Sequence, residues 1–276
     1  KIETSAPGKI FLTGEYMALE GGRSIVLSTP QKTKVSITDN YGKSNIFSSS
    51  MSKHDYPFEI NEEIDIVWLR DDPMELGSIL KNAVKRYGRY FTNKSIHIDT
   101  NEFFSEKRKI GIGSSAAVTV SITKALNQLF GLGLEPKEII DYALEIHAKS
   151  QKSNGSGFDV ITSYSGAKAV SCRLRYEGGY EYSQVQLPKE IMVIAVLSNS
   201  CARTSTMIER YQSAKKKHPR YFSKQSKIMK RELEVIYSSI LNKDTKLILK
   251  NLATYNDLLF ELDKKLQVGI FDYHHE

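Results

Sequence analysis

The chain has 276 residues, 40% of them hydrophobic, which is enough to bury a substantial core in one large domain or two closely joined ones. No run of about 18 apolar residues occurs, so we expect no membrane-spanning helix and no membrane partner. Two cysteines are too few for a disulfide framework, and we expect a cytoplasmic protein. The formal net charge of +7 favours anionic partners such as nucleotides, phosphorylated metabolites or nucleic acid.

The first hundred or so residues carry the pattern of strands. β-Branched and aromatic residues between turn signals predict strands over residues 9–13, 24–28, 33–38, 64–69 and 94–99. One helix is predicted within this region, over residues 74–90, because Asp71-Asp72-Pro73 is a typical helix start.

The centre and the C-terminal part are richer in helices. An apolar stripe predicts a helix from Ser115 that ends before Gly131, and Pro136 opens a second helix whose stripe includes His147. Strands are predicted again over residues 167–174, 181–187 and 191–197, and the last ~80 residues are predicted to be helical. This order favours an α+β fold over a parallel, doubly wound sheet.

A glycine-rich loop precedes the helix predicted from Ser115. Its sequence is Lys109-Ile110-Gly111-Ile112-Gly113-Ser114-Ser115-Ala116-Ala117. Glycines let the backbone approach a ligand closely, and the N-terminus of the following helix offers unpaired amides and a positive dipole end to a phosphate. The same residues are equally consistent with a helix that is capped by a serine and binds nothing.

Two further segments could supply charged groups. Near the N-terminus, Pro7-Gly8 predicts a turn after which Lys9 opens an apolar strand, where its ammonium could neutralise phosphate oxygens or simply face solvent. In the middle, Asp159 follows the run Ser153-Asn154-Gly155-Ser156-Gly157-Phe158. Its carboxylate could be aimed at a reacting oxygen, although an Asx turn or a helix cap is the commoner use of such a segment.

Taken together, the three segments resemble the signature motifs of the GHMP kinases. Pro7-Gly8-Lys9 with Gly14-Glu15-Tyr16 resembles the first motif, the loop at residues 109–117 resembles the second, and Asp159 occupies the place of the family's catalytic aspartate. The resemblance runs from about Ser5 to Thr206. It implies an N-terminal ATP-binding half like domain 2 of ribosomal protein S5 over residues 1–165, a helix-rich, ferredoxin-like half over residues 166–276, and mainly antiparallel sheets.

Within the family, the chain is most similar to phosphomevalonate kinases, because of Gly14-Glu15-Tyr16 and the segment from Gly155 to Val160. This resemblance implies transfer of a phosphoryl group from ATP, with Mg²⁺, to 5-phosphomevalonate, by a monomer or homodimer that binds no nucleic acid. Arg203, Thr204 and Ser205 stand where this subfamily carries a substrate loop, although Thr206 and Glu209 also fit a helix capping box.

The roles implied by the resemblance fall into four groups. The catalytic residues are Lys9 and Asp159. The ATP phosphates are expected to contact Lys109, Gly111, Ile112, Gly113, Ser114, Ser115 and Ala116. The substrate is expected to contact Lys9, Glu15, Tyr16, Ser156, Gly157, Asp159, Arg203, Thr204 and Ser205. Mg²⁺ is expected to bind Ser114 or Ser115, with Glu145 as the acidic ligand.

One motif of the family is missing from the sequence. GHMP kinases carry a third, glycine-rich motif near the C-terminus, and no such segment occurs before Glu276. We expect the motif to follow Glu276 in a longer chain. Three alternatives stay open: a mevalonate kinase or another GHMP kinase, a nucleotide- or RNA-binding homologue without activity, and an inactive homologue that acts as a sensor.

Overall fold

The computed structural model describes residues 1–42, 44–106, 108–151, 155–196 and 204–271, and divides the chain into two compact units. Unit 1 comprises Lys1–Ile10 and Ser28–Gly166. Unit 2 comprises Phe11–Leu27 and the chain from Ala167 on. The chain passes from unit 1 to unit 2 between Gly166 and Ala167, and residues 11–27 group with the C-terminal part of the chain.

The sheet of unit 1 uses strands β1 (Ile2–Thr13), β2 (Ser24–Asp39), β3 (Asn45–Ser49), β4 (Tyr56–Ile60), β5 (Ile66–Trp68) and β6 (Lys94–Asp99). Residues 34–39 of β2 pair antiparallel with β6, and β6 pairs parallel with β3. β4 and β5 extend the sheet in antiparallel order, and β1 pairs with β2. β7 (Phe104–Ser105) and β8 (Arg108–Lys109) form a short hairpin ahead of the glycine loop.

The helices of unit 1 are α1 (Met74–Tyr87), α2 (Ser114–Phe130), α3 (Pro136–Gln151) and α4 (Phe158–Ser165). Gly88 and Gly131, with φ of 60° each, end α1 and α2 in the left-handed conformation that glycine adopts at least cost. Apolar side chains of α1, α2 and the strands form one buried core, which includes Leu80, Ile96 and Val118. This core holds α2 in place, and with it the loop at its N-terminus.

Unit 2 joins residues 24–27 of β2 to β9 (Ala169–Leu174) and β10 (Tyr180–Val185), all antiparallel. Its helices are α5 (Thr204–Lys217), α6 (Pro219–Leu241) and α7 (Thr245–Leu266), with a 3-10 helix at Met17–Glu20. Their apolar faces form the core of this unit, which buries Tyr211 completely. Among the described residues, no helix combines the length and the apolar character needed to cross a membrane.

The α+β class with mainly antiparallel pairing is confirmed, and β6 and the start of α3 at Pro136 agree with the prediction. The strands predicted at 24–28 and 33–38 are one strand, β2, in which the exposed Pro30 lies outside the ladders with β9 and β6. The strand predicted over residues 191–197 is wrong over 191–196, because this apolar segment makes no strand pairing in the described part of the chain.

Candidate functional site

The glycine loop has the geometry of an anion site at a helix start. Gly111 and Gly113 have φ of 84° and 81°, which only glycine adopts easily, and α2 begins at the next residue, Ser114. The first bond of the helix ladder at this end joins the amide of Ala117 to the carbonyl of Gly113, 3.2 Å away. The amides of the first turn therefore have no acceptor within the helix and can bind an anion.

Lys9 lies directly on this loop. Its backbone amide donates to the Ile112 carbonyl at 2.8 Å, and a Cβ at Gly113 would lie 3.1 Å from Lys9 Cγ and Cε. At Gly8, a Cβ would lie 2.5 Å from the Ile112 carbonyl oxygen, so a side chain there would push β1 away from the loop. The Pro-Gly-Lys segment thus needs its glycine because the strand and the loop touch backbone to backbone.

Asp159 stands in the first turn of α4. The residue before this helix, Gly157, has a φ of 72°, and Leu144 fills the space where its side chain would be. The Asp159 side chain is 26% exposed, and its Oδ2 lies 3.9 Å from His147 Nε2 of α3. The sequence pattern assigned His147 only to the apolar stripe of α3. Its position beside the Asp159 carboxylate is visible only in the folded chain.

A second residue of α3 reaches the glycine loop. Gln151 Nε2 donates to Ser115 Oγ at 2.7 Å, although 36 positions separate the two in sequence. Nothing in the sequence motifs pointed to Gln151. Its spacing of four from His147 was the available signal, since residues four apart share one face of a helix.

A small apolar cluster supports all of these elements. It is built from buried side chains of β1, the loop, α2, α3 and α4, together with the residue just before β7. Its members are Ala6, Phe103, Ile112, Ala116, Ala117, Val120, Ala143 and Val160. Because Ile112 and Ala116 are buried in it, they fix the backbone of the loop, and their side chains face away from solvent. Lys9, Ser115 and Asp159 thus stand on elements of unit 1 whose neighbouring side chains pack in one cluster.

Two of the expected phosphate and metal contacts have other partners. Lys109 is exposed, with its ammonium 3.4 Å from the Glu75 carboxylate. Glu145 pairs with Arg86 at 2.5 Å and Lys149 at 2.7 Å. Burial acts to raise the pKa of Glu145, but these two cations outweigh it, and the pKa is lowered from its ordinary value. Glu145 is thus engaged on the surface of α3.

Glu15 and Tyr16 belong to unit 2, where they lie among tyrosines of the C-terminal helices. Tyr255 donates its hydroxyl proton to the Glu15 carbonyl at 2.9 Å, and the rings of Tyr16 and Tyr211 lie 5.2 Å apart. Glu15 Oε2 is shielded from solvent and accepts no hydrogen bond from the described residues. Burial raises the pKa of Glu15 to about 7. Burial, and the nearby Glu15 charge, raise the pKa of Tyr16 to about 12.

The remaining predicted contacts are described only in part. Ser156 accepts a hydrogen bond from the Phe158 amide at 3.5 Å, which fits a turn before α4. Arg203 lies outside the described residues, and of Thr204 and Ser205 only the backbone, at the start of α5, is described. Because α5 begins at Thr204, Thr206 lies inside the helix and does not cap it.

Comparison with known proteins finds a partial family match and similar folds. Residues 78–167, which include the glycine loop and Asp159, match the model of the GHMP kinases N terminal domain. Residues 78–167, about a third of the chain, thus resemble a GHMP kinase N-terminal domain. The fold is also that of GHMP kinases: the phosphomevalonate kinase of Streptococcus pneumoniae, solved with phosphomevalonate and AMPPNP, matches 96% of this chain and 81% of its own, with a TM-score of 0.73 and 20% identity.

Curated GHMP kinases of two specificities resemble the chain in sequence. A phosphomevalonate kinase of Saccharolobus solfataricus is 29% identical over 60% of this chain and 48% of its own length. A mevalonate kinase of Archaeoglobus fulgidus is 25% identical over 80% of this chain and 66% of its own length. The matches thus span from about half to about two thirds of these relatives, which act on different acceptors.

Proposed function

We propose that this protein transfers the γ-phosphoryl group of ATP to the phosphate of 5-phosphomevalonate. The observation that carries the proposal is the contact of Lys9 with the glycine loop at the N-terminus of α2, in the same unit as Asp159. Phosphoryl transfer requires mainly alignment and charge stabilisation, with little covalent chemistry by the protein. An ammonium, a set of free amides and a carboxylate on neighbouring elements are suited to that task.

In this mechanism the amides of Gly113, Ser114 and Ser115 hold the β- and γ-phosphates. The Lys9 ammonium lies between donor and acceptor and offsets the repulsion of two anions. Asp159 orients the acceptor. A phosphate monoester with a second pKa near ~6 is already largely ionised at neutral pH, so a strong general base is not needed.

The site also fits magnesium. Mg²⁺ prefers oxygen ligands and keeps several waters while it binds substrate phosphates, so one serine hydroxyl from the loop, of Ser114 or Ser115, suits it. In the described part of the chain, no group of three or more His, Cys, Asp or Glu side chains is placed to hold a metal alone. When bound with ATP, the ion would neutralise phosphate charge. Glu145 remains a predicted ligand, but its two cationic partners make Ser115 the better candidate.

The choice of acceptor rests on two segments, Gly14-Glu15-Tyr16 and Gly155–Val160, which resemble phosphomevalonate kinases. The related mevalonate kinases favour a second candidate, transfer to the hydroxyl of mevalonate. Release of ADP, measured in a coupled assay with the full-length protein and a panel of GHMP kinase substrates, separates the two. We expect the highest kcat/KM with phosphomevalonate, and a preference for mevalonate would overturn the choice.

Two substitutions test the machinery itself. Lys9→Met and Asp159→Asn should each lower kcat by about 10²–10⁴, the range typical for a lost electrostatic or acid–base partner. Lys137→Met and Asp141→Asn are matched controls. This exposed lysine–aspartate pair on α3 carries the same two charges in the same unit. Near wild-type turnover of both site variants would refute the kinase mechanism. Salt-sensitive RNA binding without turnover would favour the binding-protein alternative.

A further inference from the structure

Helix α3 presents two polar side chains to the two functional elements of unit 1. Gln151 contacts Ser115 on the loop side, and His147 lies next to Asp159 at the start of α4. Because residues four apart lie one above the other on a helix, His147 and Gln151 share one face of α3. The helix therefore connects the phosphate loop and the catalytic carboxylate through one pair of side chains.

The contact at Ser115 differs from those of the two threonines on the same helix. Thr119 and Thr123 donate their hydroxyl protons back to carbonyls of their own helix, at 2.9 and 2.7 Å. Ser115 Oγ instead accepts the side-chain amide proton of Gln151 from α3. A hydroxyl that accepts one hydrogen bond keeps its own proton and a second lone pair. Both then remain for a phosphate oxygen and a metal ion on the loop side.

The contact at Asp159 is longer. At 3.9 Å, His147 Nε2 and Asp159 Oδ2 are too far apart for a hydrogen bond, but only 16% of the imidazole and 26% of the carboxylate are exposed. Asp159 Oδ1 meanwhile accepts the amide proton of Val160 at 2.9 Å. Catalytic hydrogen bonds are often long before substrate binds and shorten in the complex. His147 is thus placed to fix the second carboxylate oxygen when the acceptor arrives.

We propose that Gln151 and His147 are positioning residues for phosphoryl transfer, Gln151 acting through Ser115 and His147 through Asp159. The inference rests on the proposed kinase function and adds two residues to it. Gln151 directs the Ser115 hydroxyl toward the nucleotide, and His147 directs the Asp159 carboxylate toward the acceptor. Loss of Gln151 therefore acts on ATP, whereas loss of His147 acts on turnover of the acceptor.

Single substitutions test these separate effects. Gln151→Ala should lower kcat/KM for ATP about tenfold, as expected for one lost hydrogen bond that orients a ligand. Gln151→Glu keeps the shape but replaces a donor by a negative charge near the phosphates, and should lower it at least ~100-fold. Gln128→Glu is the matched control, because Gln128 is exposed on α2, thirteen residues or about 20 Å beyond Ser115. It should change kcat/KM less than about twofold.

Double substitutions test whether the residues act through their partners. In a Ser115→Ala background, Gln151→Ala should cause no further loss, and in an Asp159→Asn background, His147→Ala should cause none. His147→Asn, which keeps a donor, should recover part of the activity if the alanine variant folds poorly. Thermal unfolding of each variant identifies losses of activity that come from a less stable fold. The NMR shift of the Gln151 side-chain amide should change in the Ser115→Ala variant, and this measurement does not depend on turnover.

The outcomes distinguish this inference from the function on which it rests. Suppose that the wild type turns over ATP, but that the losses of activity in both double-substitution cycles are additive. That result would overturn the inference and leave the proposed function standing. An unchanged Gln151 amide shift in the Ser115→Ala variant would overturn the Gln151 half directly. Absence of ATP turnover by the wild type with every acceptor would overturn the proposed function, and the positioning roles with it.

Discussion

The buried carboxyl group of Glu15 should make the stability of this protein fall as the pH rises. Its Oε2 is shielded from solvent and has no hydrogen-bond donor among the described residues, and burial raises its pKa from 4.5 to about 7. The folded protein therefore holds this proton over a pH range in which the unfolded chain has released it. Glu15→Gln replaces the group by a neutral one of the same shape and removes the difference.

The sign and size of the effect follow from linkage. Below about pH 4.5 the carboxyl is protonated in both states and costs nothing. Between about pH 4.5 and 7 the folded state binds more protons, so the free energy of unfolding falls with pH, and above about 7 the full loss is present. The difference between 4.5 and about 7 corresponds to at most about 3 kcal/mol. The Gln variant should gain this amount relative to wild type between about pH 4.5 and 8.

Urea unfolding followed by far-UV circular dichroism is the suitable assay. Glu15 belongs to unit 2, which contains α5, α6 and α7, whereas the single tryptophan, Trp68, reports on unit 1. The exposed Glu177 of unit 2 supplies the control. The free energy of unfolding of Glu177→Gln should differ from that of the wild type by the same amount at about pH 4.5 and at about pH 8. If Glu15→Gln also differed from wild type equally at both, the carboxyl would be solvated in the folded state and the reasoning would be refuted.

Two further substitutions test local packing. Asp263→Ala removes a buried carboxylate that accepts hydrogen bonds from two backbone amides beyond α7, at 2.8 and 3.0 Å. It should lower the free energy of unfolding, measured by urea titration, by about 2 kcal/mol. A loss under about 0.5 kcal/mol would show that water replaces the carboxylate. Gly113→Ala forces a side chain against Lys9 at a positive φ, and should lower kcat/KM for ATP more than tenfold. Gly131→Ala, also at positive φ but in open space, is its control, and equal losses in the two would rule out the steric explanation.

The sequence by itself determined the features that depend on neighbouring residues. Glycines at positive φ marked the start and end of α2, Pro136 marked the start of α3, and alternation marked β6. The motif residues Lys9 and Asp159 were singled out by their resemblance to GHMP kinase motifs, whereas their local sequence alone left a solvent-facing lysine and a capping aspartate open as well. Such signals are short-range, since backbone sterics and capping act over one turn or less.

Only the tertiary structure decided which groups meet. The apolar run at 191–196 has strand propensity but no strand pairing in the described chain, so propensity alone gave the wrong answer. His147 and Gln151 contact partners 12 and 36 positions away, and the Glu15 carbonyl accepts the hydroxyl proton of Tyr255, 240 positions away. Burial and long-range contacts set the charge and orientation of a side chain, and a sequence pattern carries neither until the chain has folded.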